Sequence, residues 1–176
     1  KQVSTTLQIV FLLTVLTLAP AILIMTTSFT RFVIVLSFLR QAIGTPQAPS
    51  NQIVIGIALF LSLFVMMPVW EEVNDVALGP YLDETITQQE FMDLAAQPIK
   101  KFMSNYTREK DLAMFVRIAK LERPKNLEDV PIWVVIPAFV ISELKAAFQI
   151  GFLLYVPFLV IDMVVASILM AMGMMM

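Results

Sequence analysis

Glu143, Lys145 and Asp162 are ionisable residues set in Val130–Met176, a stretch that is otherwise almost wholly apolar. A charge at the centre of a membrane-spanning helix costs about 2.5–3.5 kcal/mol on insertion scales, so each of the three needs a partner or a wet cavity. Glu143 and Lys145 lie two positions apart and would project from different sides of a helix, too badly placed to neutralise one another. Each must look elsewhere for its counter-charge. One reading has all three pairing within the fold or snorkelling to an interface. The favoured reading places them at contacts between subunits, where each meets an opposite charge on a neighbour. Arg31, in the apolar run Phe29–Leu39, is a further candidate, with a long stem that suits snorkelling as well as function. A different class of protein, an ion or solute transporter, would use Glu143 and Asp162 to line a proton or cation path.

Catalysis finds little support. Ser142 and Lys145 have the i, i+3 spacing of a Ser–Lys dyad, but nothing resembling an oxyanion hole accompanies them. The chain has no cysteine and no histidine, which removes zinc sites, thiol nucleophiles, haem ligation through either residue and imidazole acid–base chemistry. Its five glycines form no phosphate-cradling GxxxxGK[ST] loop. The reading is of a non-enzyme without metal or cofactor.

The elements that would position these residues follow from where the charge lies. Of 26 charged residues in the 176, 20 fall between Glu71 and Asp129. The two arms left over suit hydrocarbon and the middle suits water. Residues 71–98 carry seven acids and no base, and residues 99–125 carry eight bases among three acids, with no long like-charge run. That pattern is a poor one for nucleic acid.

Three segments result: residues 1–70, an apolar helical hairpin; 71–130, a small soluble helical domain; and 131–176, a second apolar arm ending in a methionine-rich loop. The expected fold class is all-α. Leu7–Met25 is long enough to cross a membrane, and Pro20 predicts a kink. The stretch Leu7–Leu39 reads as one bent helix or two shorter ones. Gln41–Asn51, with Gly44, Pro46 and Pro49, predicts a tight connection, and Ile53–Trp70 a second span whose wet end is marked by Pro68 and Trp70. Thr87-Gln88-Gln89-Glu90 fits a capping box opening a helix, and Arg108–Leu121 an amphipathic helix with Leu112, Phe115 and Ile118 on one face. The last arm starts at Ile132, with Pro137 and Pro157 as expected kink sites. Ala147-xxx-Gly151 and Ser167-xxx-Ala171 are small-xxx-small spacings that permit close helix approach. A first residue of Lys1 and an apolar run cut off at Met176 predict further chain at both ends.

Five of the last seven residues are methionine. Three flexible bonds and a polarizable sulfur let methionine repack, and Gly173 beside Met174–Met176 favours a loop over a packed helix. A ring of such side chains could seal around an object of variable shape.

Four segments together resemble the FliP/SctR family of type III secretion export-gate proteins, on its flagellar side. They are Thr26–Arg31 (TTSFTR), Leu39–Pro49 (LRQAIGTPQAP), Ser142–Phe152 (SELKAAFQIGF) and Ala171–Met176 (AMGMMM). Ala96-Gln97-Pro98, Thr107-Arg108-Glu109 and Asp111-Leu112 are similar to that family's periplasmic region. The resemblance implies a pentameric, ring-like and pseudo-helical gate formed with FliQ and FliR, with FlhB as a further associate and FlhA below. It would sit in the bacterial inner membrane at the flagellar basal body, with residues 71–130 periplasmic, and pass unfolded flagellar proteins. It also implies that Met174, Met175 and Met176 form a gasket across the channel, and that Glu143, Lys145 and Asp162 lie among protein instead of lipid. An injectisome homologue of the same gate is the nearest alternative.

Overall fold

The computed structural model describes residues 2–121, Pro124 and 129–173, and every regular element among them is helical. The all-α expectation holds. Helix α1 runs Gln2–Met25 and α2 runs Phe29–Ala42, so the first apolar stretch is two helices. The break at Thr26–Ser28 is closed locally: Thr26 N–H donates to Ile22 C=O at 2.9 Å, and the Thr26 and Thr27 hydroxyls donate to the carbonyls of Leu23 and Ile24. Helix α2 stops at Gly44, whose φ of +77° lets the amides of Gly44 and Thr45 turn back onto Gln41 and Arg40.

Helix α3 covers Asn51–Val73 and does not end at Trp70 as the sequence suggested. It passes into a π-helical turn, Asn74–Leu78, and then into α4, Gly79–Leu82. Pro80 has no N–H to give the usual i−4 carbonyl, and a wider turn just before it accommodates that loss. The soluble block then supplies α5, Gln88–Tyr106, and α6, Glu109–Ile118. The predicted capping box is present: Glu90 N–H donates to the Thr87 hydroxyl, and Thr87 N–H donates to Glu90 Oε2 at 2.7 Å. The buried face of α6 differs from the expected one. Leu112 and Val116, at i and i+4, are buried with Phe115 against them, whereas Ile118 is 65% exposed because it lies on the opposite side.

Helix α7 is continuous from Ile132 to Ala171, through both Pro137 and Pro157. Gly173, with φ +73°, ends it before the methionine triplet. Asn51–Leu82 and Ile132–Ala171 are each long and apolar enough to cross a membrane, and Ile9–Met25 with Phe29–Ala42 would add a third crossing if the broken pair acts as one. Four hydroxyls inside these helices are satisfied by the helix's own backbone. Thr14, Thr17, Ser37 and Ser167 each donate to the carbonyl four residues back, at 2.7–2.8 Å.

By packing, the chain forms two compact units, Lys1–Ser28 with Val65–Ser142, and Phe29–Phe64 with Glu143–Met176. The first holds the main core: Met66 and Val69 of α3, Phe102 and Met103 of α5, Leu112 and Val116 of α6, and Val134, Val135, Ala138 and Phe139 of α7. The soluble helices thus owe their core to the ends of the apolar ones.

Candidate functional site

Within the second unit, α2 and α7 meet along a narrow seam. On α7 the facing positions are Glu143, Ala147 and Gly151, spaced i, i+4 and i+8, which places them on one stripe. Ala147 and Gly151 are buried. A Cβ built on Gly151 would lie 2.5 Å from Phe38 Cδ2, so only glycine lets α2 come this close. The Phe38 and Phe148 rings pack edge to face beside it, with centroids 5.8 Å apart. The first of the two small-xxx-small spacings is therefore used within the chain. Ser167 and Ala171, the second, are exposed.

Charge enters at one end of this seam. Arg31 of α2 donates from Nη2 to Glu143 Oε1 in an ion pair. The Glu143 side chain is 1% exposed and that of Arg31 24%. Burying a carboxylate so fully is tolerable only because the guanidinium lies against it. Glu143 Oε2 is buried and has no hydrogen-bond partner among the described residues. The seam thus unites Arg31 and Glu143, which the sequence offered as separate candidates. Lys145 is exposed on another side of α7, as its two-residue offset from Glu143 requires. Asp162 is exposed in the later part of α7, and the structure does not bring it to the seam. Met174, Met175 and Met176 lie outside the described residues.

Ser142, the proposed half of a Ser–Lys dyad, is engaged elsewhere. Its hydroxyl donates to Asp111 Oδ2 at 3.0 Å and accepts from the Arg108 N–H at 3.0 Å. Asp111 and this relay escaped sequence reading. An acid three residues after an uncapped helix start was the only local signal, and nothing local pointed to a serine 31 residues later. Phe38 escaped as well, since a phenylalanine in an apolar helix is indistinguishable from its neighbours.

Outside the apolar helices, the Glu90 carboxyl is held below its ordinary range, first by the Thr87 backbone N–H and then by the Thr87 hydroxyl.

Fold and seam together define an all-α membrane protein whose apolar helices are registered by a buried arginine–glutamate pair and a glycine contact. The sequence signature of the FliP family matches residues 12–176, and the chain belongs to that family. It is 54% identical to the flagellar biosynthetic protein FliP of Bacillus subtilis (strain 168), over the whole of this chain and 80% of that protein. It is 53% identical to the proteins of the same name from Pectobacterium carotovorum and Caulobacter vibrioides, over 96% of this chain in each case and 66% and 64% of theirs. The chain thus spans about two thirds of the length of the latter two relatives.

Proposed function

We propose that this chain is a core subunit of the flagellar type III protein export gate. Copies of it, together with FliQ and FliR, surround a passage through which unfolded flagellar proteins cross the bacterial inner membrane at the basal body. FlhB and FlhA are the further associates, and residues 71–130 face the periplasm. The relatives named above are flagellar, which favours this over an injectisome gate.

One observation carries the assembly. Helix α7 has 40 residues, about 60 Å at 1.5 Å per residue, twice a hydrocarbon core of about 30 Å. None of its most apolar stretch is buried by the rest of the chain. Its first half, as far as Gly151, packs against its own chain, and lipid alone is a poor cover for the charge-bearing second half, which neighbouring copies would cover. Asp162 lies in the uncovered part and would find its counter-charge there. Glu143 Oε2, already desolvated, has acceptor capacity left for a donor from a neighbouring copy, and Lys145 is exposed toward one. As a transporter residue, by contrast, Glu143 would have to reach a water-filled path, and it is sequestered against Arg31.

Met174–Met176 form the pliable constriction: they admit an extended chain and dewet when it is absent, which limits leakage of ions and water. The test is replacement of all three by alanine in the assembled complex. Closed-state conductance in bilayers should rise, and unchanged conductance removes the gasket. The mass of the intact detergent-solubilised complex tests the ring itself, since a solitary subunit would contradict it.

A further inference from the structure

Helix α6 begins without a cap of its own. Arg108 stands at its N-cap with φ −70° and ψ 135°, and its side chain makes no capping bond, because arginine carries no acceptor. The acceptor comes from α7. Ser142 Oγ accepts from the Arg108 N–H and donates to Asp111 Oδ2, each at 3.0 Å. Asp111 is the third residue of α6, the position from which an acidic side chain ordinarily reaches back to the N-cap N–H. Here one hydroxyl from another helix is interposed between the two halves of that box. Ser142 is 1% exposed and Asp111 3%, so water cannot take the place of the hydroxyl. The surrounding contacts, Val135, Ala138 and Phe139 on α7 against Leu112 and Val116 on α6, are apolar and carry little directional information. The Ser142 relay supplies the direction. A turn's slip of α7 would take the hydroxyl away from both helix-α6 groups at once.

We propose that Ser142 is a positioning residue for export: it fixes the register of the start of α7 against α6. The inference rests on the export-gate reading and deepens it. Ser142 touches no cargo and acts through the helix to which it belongs.

The experiment uses the full-length protein in its native assembly, with three variants. Ser142→Ala should reduce export of a flagellar substrate at least fivefold and raise ion leak. The decisive variant is Ser142→Ala with Arg108→Ser, which gives α6 a cap of its own, read against Arg108→Ser alone. Assembly and thermal stability should recover while export remains low, and the amides of residues 138–146 should still exchange faster with deuterium. If the local cap restores export too, Ser142 is only a helix cap and the proposal is overturned. Wild-type export by Ser142→Ala overturns it as well, and so does unchanged protection of residues 138–146, a measurement that stands even where a variant fails to assemble. Failure of the gate reading would show separately, as unaltered conductance after replacement of Met174–Met176, with the exchange result on α7 unaffected.

Discussion

Replacing Gly151 with alanine tests whether α2 and α7 are held at the distance the seam requires. The added Cβ would stand 2.5 Å from Phe38 Cδ2, 2.7 Å from Cγ and 3.0 Å from Cβ. Ordinary carbon–carbon contact is about 3.5–4.0 Å, so the overlap is roughly 1 Å at the ring and about 0.5 Å at Phe38 Cβ. Turning the ring relieves the first two contacts. The third is fixed to the backbone of α2, so the helices must separate. Overpacking of this kind costs about 1–3 kcal/mol, and a disturbed Phe38–Phe148 edge contact adds about 0.5–1.5 kcal/mol. Alanine offsets roughly 0.8–1 kcal/mol through its better helix propensity. The balance is a loss of about 1–2 kcal/mol, measurable by reversible unfolding in detergent. A double-mutant cycle with Phe38→Ala gives the sharper reading, because removing the ring leaves only the 3.0 Å contact. Gly151→Ala should then cost less than half as much. An equal cost with and without the ring, or a net gain from propensity alone, would refute close approach at Gly151.

Three further outcomes are expected. Arg31→Met or Glu143→Gln should destabilise the chain by about 3–5 kcal/mol, and Arg31→Met with Glu143→Leu by clearly less, because truncating one partner strands the other while replacing both does not; detergent unfolding of all three variants measures this. Lys120 and Glu84 each adopt positive φ, +53° and +56°, at the ends of α6 and α4, where their amides turn back onto Arg117 and Tyr81. Lys120→Gly and Glu84→Gly should each stabilise by about 0.5–1 kcal/mol in thermal melts, since glycine adopts that conformation without a Cβ penalty. The Glu90 carboxyl is lowered by its bonds from Thr87, so its contribution is complete above the ordinary carboxylate range. It is lost as pH falls through the lowered folded-state value, and Glu90→Gln should abolish that acid-side loss in deuterium exchange of the first turn of α5.

Local rules made some features legible and left others hidden. The Thr87–Glu90 box, the turn at Gly44 and the stop at Gly173 depend on residues within a few positions of one another, and each stands where the sequence placed it. The boundary at Trp70 failed because Pro68 looks like a terminator but is accepted inside α3, and the chain then absorbs Pro80 with a π turn. Ile118 was misplaced because a three-residue step from Phe115 fits a helical face as well as the true i, i+4 stripe of Leu112 and Val116 does. The partnership of Arg31 with Glu143 spans 112 residues, and that of Ser142 with Asp111 spans 31. Composition shows that a charge in an apolar run needs a partner, but only the fold selects which one.

The direction of the seam carries a topological consequence. Arg31 meets Glu143, and seven residues further along α2, Phe38 meets Gly151, eight residues further along α7. Both helices therefore advance in the same sense, and α2 and α7 are parallel neighbours. Were α7 reversed against α2 about the same ion pair, Phe38 would lie toward Val135 instead of Gly151. Nondirectional apolar contact could not enforce that choice, because lipid chains satisfy Leu, Ile and Val as well as another helix does. The buried charge pair and the glycine contact can, because neither has an equivalent when α7 is reversed. The register elements of α7 fall between Ser142 and Gly151, and most of Phe152–Ala171 is exposed.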